Sequence, residues 1–171
     1  MWLDPANARI MVAAIADALA DADPGNAATY RDNAEALSRR LEALESDIAS
    51  RLEPYRSVPY YTFHEAFRYF DRRFGLNGRG AIAVSPELQP GAQRIAEIRA
   101  AIGSDERVCV FAEPAFPPRL VDVIVEGTNA RSGVLDDLGQ ALTPGPGALF
   151  RGDDGQRRRL RALFPEHHVR R

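Results

Sequence analysis

The chain has 171 residues, 45% of them hydrophobic, and a net charge of -2 from 22 basic and 24 acidic side chains. That length gives room for one substantial core, and the composition excludes a disordered polymer. The balanced charge leaves no electrostatic footprint for nucleic acid.

The chain opens on "MWLDPANARIMVAAIADALA", with Asp4 and Asp17 interrupting the apolar run. No secretory signal and no stretch of transmembrane length is read there, so the chain as given is expected to be soluble and unexported. A tryptophan and an Asp-Pro pair at the very start resemble an entry into the middle of a fold. Asp4 as cap and Pro5 at the first position predict a helix over 5–20, with Ala8, Val12, Ile15 and Leu19 as its apolar stripe. "DADPG" at 21–25 breaks it.

A second helix is predicted over about 26–53. Tyr30, Ala34, Leu37, Leu41, Leu44, Ile48 and Leu52 mark one stripe. At 1.5 Å per residue it spans roughly 40 Å, longer than a typical globular helix, and reads as a brace or connector. "EPYRSVP" at 53–59 ends it.

After Pro54 short apolar runs alternate with helical patterns. Strands are predicted at 59–62, 80–84, 108–111 and 132–135, and helices at about 64–74, 90–102 and 117–127. Phe63, Phe67, Phe70 and Phe74 stripe the first of these helices; Ile95, Ile98 and Ile102 stripe the second; Leu120, Val121, Ile124 and Val125 stripe the third. The repetition predicts an α/β fold: a parallel four-stranded sheet with flanking helices, preceded by a long bridging helix. The single cysteine, Cys109, lies in the strand-like "RVCVFAEP" and reads as a buried small hydrophobe with no internal disulfide partner. "TPGPG" at 143–147 is a turn cluster, followed by an arginine-rich tail with a short helix predicted over 156–164.

Ligands of open α/β sheets gather beyond the carboxyl ends of the strands. Here those ends carry His64 after 59–62, Glu113 after 108–111, and Asp136-Asp137 after 132–135. Imidazole and carboxylate are both ligands of first-row metals. Read alone, His64 and Asp136 favour structural or surface roles over ligation, and two donors are too few for a complete zinc site. His64 and Asp136 acting as base and orienter of an uncharacterised α/β enzyme is a further reading. No nucleophile elbow, Walker loop or dinucleotide fingerprint supports it. "GLNGRG" at 75–80 follows a helix and does not read as a phosphate cradle. Glu65 beside His64 lacks a second histidine, because residue 68 is arginine. His167-His168 read as a solvated end.

The segments "WLDPANA", "FHEAFRYFDRRFGL", "SPELQPGAQRIAEIRAAI", "VCVFAEPAFPPRLVDVIVEGTNARSGVLDDLG" and "LTPGPGALF", in that order, resemble the C-terminal part of the zinc-binding periplasmic proteins of ABC transporters, the high-affinity zinc-uptake components. The resemblance runs from Trp2 to about Phe150. It implies two similar α/β lobes bridged by one long helix, with the metal between them. On that reading residues 1–24 are the remnant of an N-terminal lobe, 25–56 the linker helix, and 57–171 the C-terminal metal-binding lobe. It further implies that His64 and Asp136 are ligands of Zn2+, that Glu113 orients a ligand without touching metal, and that histidine at 64 favours zinc over manganese.

The resemblance also implies capture of zinc without chemistry, delivery to a membrane ABC permease and a periplasmic location, whereas the chain as given, lacking a signal, would stay cytoplasmic. Where the family has proline after the aspartate this chain has Asp137, which alters loop stiffness or adds a spare carboxylate. Histidines expected before "WLDP" and in a first lobe are absent from the chain, so weak or no stoichiometric zinc binding is expected, with self-association through an exposed surface as a further expectation. A structural or interaction domain that no longer binds metal is the other alternative.

Overall fold

Asp4 begins the first helix as its sequence implies. Its carboxylate accepts the Ala6 N–H at 2.9 Å, Pro5 sits where no N–H is needed, and α1 runs Pro5–Ala22. The computed structural model describes residues 3–83, 90–103, 108–145, 147, 148 and 150. The tail helix expected over 156–164 and His167-His168 lie outside the described residues. The chain divides into two compact units, Met1–Glu53 and Pro54–Arg171.

In the first unit α1 packs along α2, Ala27–Leu52, and Arg9 donates to Glu45 at 2.7 Å. The 26 residues of α2 rise about 39 Å at the helical repeat. Leu41, Leu44, Ile48 and Leu52 of its stripe are buried. The expected stripe of α1 departs: Ala16 and Ala20 are buried, while Ile15 and Leu19 are exposed with Ile10 and Met11. Small side chains at a helix contact allow close approach, so the alanine side of α1 rather than its bulkiest side is covered.

The second unit is an all-parallel sheet. Its strands are β1 (Tyr60–Thr62), β2 (Gly78–Ala81), β3 (Cys109–Ala112) and β4 (Arg131–Val134). Helices α3 (Arg68–Phe74), α4 (Ala92–Gly103) and α5 (Arg119–Val125) make the crossovers. The strand order is β2-β1-β3-β4. β1 and β3, in the middle, are buried throughout, as a sheet covered on both faces requires.

Alternation sorts the two faces. Tyr61, Phe63, Val108, Val110 and Ala112 join one cluster with Ile98 and Ile102 of α4 and Val121 and Ile124 of α5. Tyr60 instead meets the edge of Phe111 at 5.7 Å and its hydroxyl donates to Asp71 of α3. Cys109 is buried in β3 as expected, and burial pushes its thiol up to about 11.

Two elements depart most from their expected bounds. The helix expected over 64–74 begins at Arg68, because residues 63–67 turn: the Ala66 N–H donates to the His64 carbonyl at 2.9 Å and the Thr62 hydroxyl donates to the same carbonyl at 2.9 Å. β2 covers Gly78–Ala81 rather than 80–84, part of the expected range lying outside the described residues. Gly75 closes α3 in the left-handed region at φ 67, a conformation glycine adopts without cost from a Cβ. The glycines of 75–80 therefore end a helix and start an edge strand.

Candidate metal centre

The strand order places a topological switch point between β1 and β3. The chain leaves β1 toward β2 on one side and leaves β3 toward β4 on the other. A crevice forms beyond adjacent carboxyl ends whose connections diverge. His64 follows β1 there, Glu113 follows β3, and Asp136 and Asp137 follow β4.

One carboxylate holds His64 at two points. The His64 backbone N–H donates to Glu113 Oε1 at 3.1 Å, and His64 Nδ1 is bonded to Glu113 Oε2. A carboxylate only accepts, so Nδ1 carries a proton, and in the neutral ring that leaves the Nε2 lone pair available. Phe116 fixes the ring from the side. It meets the imidazole edge-on at 5.7 Å and stacks on Phe63 at 4.4 Å. Phe116 is itself set by a turn in which its N–H donates to the Glu113 carbonyl at 3.1 Å.

The Glu113 side chain is fully buried and that of His64 is 18% exposed. Burial raises the Glu113 carboxyl above its ordinary value, the nearby Asp137 charge adds to the rise, and the bonds and charge of His64 oppose it. The two hydrogen bonds from His64 therefore offset part of the cost of burying the Glu113 carboxylate.

Nε2, the free ring nitrogen, faces Asp137 Oδ2 at 3.8 Å, and the Asp137 side chain is 4% exposed. That separation is beyond hydrogen-bond range. It lies near the about 3.3 Å between two donors of a tetrahedral zinc with bonds of about 2.0–2.1 Å. His64, Glu113 and Asp137 each bring a potential ligand atom within 4.8 Å of the others. Both Glu113 oxygens are engaged by His64, which fits the expectation that this residue orients the histidine.

Asp136, the acid singled out from the sequence, lies at the same sheet edge but outside that cluster. Its Oδ1 accepts the Gln140 N–H and its Oδ2 the Ala141 N–H, each at 2.9 Å. Sequence reasoning gave Asp137 only a spare role and missed Phe116. The Asp-Asp pair was itself the signal for the first, since two adjacent acids on a turning loop point different ways and one of them faces the histidine. Nothing local marks Phe116, three residues beyond Glu113.

The chain is 48% identical over 145 residues to the high-affinity zinc uptake system protein ZnuA of Brucella abortus (strain 2308), a match covering 85% of this chain and 43% of that protein. It is 40% identical over 142 residues to the protein of the same description from Yersinia pestis, covering 83% and 45% respectively. The laminin-binding protein Lbp of Streptococcus pyogenes has a similar structure, with a TM-score of 0.78 and 27% identity over 94% of this chain and 63% of that one. The chain thus spans less than half the length of these curated relatives. Residues 1–150 match the family described as zinc-uptake complex component A, periplasmic, and the chain belongs to that family.

Proposed function

We propose that the second unit presents a zinc-capture site in which His64 Nε2 is the nitrogen donor and the acidic pair Asp136-Asp137 supplies the carboxylate. Zinc here is cargo, taken up and released without a reaction; as a family member the chain is a binding component and not an enzyme. The observation that carries this reading is the ring nitrogen left open by Glu113 and faced by a buried carboxylate. A histidine held through Nδ1 by a carboxylate is a recurrent zinc arrangement, because the second partner fixes the tautomer and raises ligand basicity. Imidazole among the donors favours zinc over manganese.

Family membership supports delivery to a membrane ABC permease and a periplasmic setting. On the same reading residues 1–24 belong with a first lobe, 25–56 form the bridge, and 57–171 form the lobe that carries His64.

The test is zinc titration of metal-stripped protein by calorimetry, with His64→Ala alongside. Weak, saturable uptake by the unmodified chain that disappears in His64→Ala is the expected result. Equal uptake by both proteins would remove His64 from the site.

A further inference from the structure

The α3 side of the sheet carries a cavity that the metal centre does not use. Its volume is about 620 Å³, and Tyr60, Phe67, Asp71, Arg72, Leu76 and Gly78 are among the residues lining it. Sites for small organic ligands have this size. His64, Glu113 and Asp137 are not part of its wall. We propose that this cavity binds a small zwitterion of the amino-acid type, with its ammonium group at Asp71 and its carboxylate at Arg72. The inference is independent of the zinc reading.

Asp71 is the inner pole. Its carboxylate accepts the Tyr60 hydroxyl, and Tyr60 is itself buried with its ring against Phe111. A Cβ at position 78 would collide with Asp71 Oδ2, so Gly78 leaves open the space that this oxygen borders. Burial raises the carboxyl to about 6, opposed by the Tyr60 bond, which leaves it ionised at neutral pH. No cation among the described residues compensates that charge. A buried charge without a counter-charge is costly, and an ammonium group supplies one.

Arg72 is the outer pole. It is exposed on α3, and among the described residues no carboxylate lies in ion-pair range of it. Its neighbour Arg68 already faces Glu65 at 3.8 Å. Successive helical residues diverge by about 100°, so Asp71 and Arg72 border one cavity without neutralising each other. An acid and a base held apart in this way match a ligand that carries both charges. The Tyr60 and Phe67 rings and Leu76 add an apolar wall for the rest of it.

The experiment is an NMR titration of the metal-stripped chain, with chelator present so that no probe acts through zinc. Three probes share a phenyl group: L-phenylalanine carries both charges, phenethylamine only the ammonium and hydrocinnamate only the carboxylate. Saturable shifts of the Tyr60, Asp71 and Gly78 amides are expected with L-phenylalanine, and weaker binding of both single-charge probes. Asp71→Asn keeps an acceptor for the Tyr60 hydroxyl. It is expected to weaken L-phenylalanine and phenethylamine about 10–100-fold, the scale of a lost charge-assisted bond, without weakening hydrocinnamate. Arg72→Gln is expected to weaken L-phenylalanine and hydrocinnamate by up to about fivefold, the scale of an exposed pair, without weakening phenethylamine. A merely structural role for either residue would move all three probes alike.

No saturable shift with L-phenylalanine would overturn the proposal. Equal binding of the three probes would do the same, as would an equal loss for all three in Asp71→Asn. If Asp71→Asn does not fold, the probe series on the unmodified chain and Gly78→Ala decide. The new methyl group displaces Asp71 Oδ2, so L-phenylalanine binding is expected to be lost in the folded Gly78→Ala variant; unchanged binding there would overturn the proposal.

Discussion

Glu113 ties the backbone and the ring of the same histidine with its two oxygens. Removing it leaves two buried N–H groups of His64 without an acceptor. We expect Glu113→Ala to cost about 1–3 kcal/mol per group in chemical denaturation and to weaken zinc binding about 10–100-fold in calorimetry. Binding at full strength would mean that the ring keeps its orientation from Phe116 alone. A second residue-scale expectation concerns Asp71, away from the site. Burial raises its carboxyl from 3.8 to about 6, with the Tyr60 hydroxyl bond opposing the rise. The folded state therefore holds this proton more tightly than the unfolded one. Its contribution to stability is greatest below pH 3.8 and is lost as pH rises toward about 6. The stability of the unmodified chain relative to Asp71→Asn should fall between those values in denaturation series at several pH values; a difference independent of pH would contradict it. His64 was legible in the sequence because it sits where a strand hands over to a turn. The approach of Asp137 to His64 was not, because it depends on how the loop after β4 folds about Asp136.

At the scale of elements, the Pro54-onward pattern predicted four strands and three helices near their observed places, because each parallel strand is a short apolar run closed by turn residues. Boundaries slipped where tertiary bonds override periodicity. Phe63 and Phe67 keep a helical spacing with Phe70 and Phe74, yet residues 63–67 turn because Glu113 and Thr62 engage the backbone of His64. The exposed large residues of α1 show the same limit, since periodicity finds an apolar stripe but not which side is covered. Arg99 is a contact that no pattern announces. From α4 it donates to the carbonyls of Val123, Ile124 and Glu126 at the end of α5, at 2.8 Å for Glu126. These carbonyls have no helical partners of their own. Arg99→Ala is expected to destabilise the second unit by about 1–2 kcal/mol, measured by thermal or denaturant unfolding. An unchanged midpoint would show that solvent serves those carbonyls equally well.

For the whole molecule, strand order is what converts distant residues into one site. His64 and Glu113 are 49 positions apart, and Asp137 is farther still. They converge because β1 and β3 are neighbours whose connections diverge. Sequence alone predicted that these groups lie at strand ends but could not order the strands, so it could not pair Glu113 with His64 by geometry. The chain spans less than half the length of its curated relatives. The location of the metal on this chain is a sharper question than its affinity. Anomalous diffraction at the zinc edge, from crystals equilibrated with zinc, answers it most directly. We expect a peak about 2.0–2.1 Å from His64 Nε2, the zinc–imidazole distance, on the side facing the acidic loop. Zinc bound elsewhere on the chain, with no peak at His64 Nε2, would contradict the proposed site.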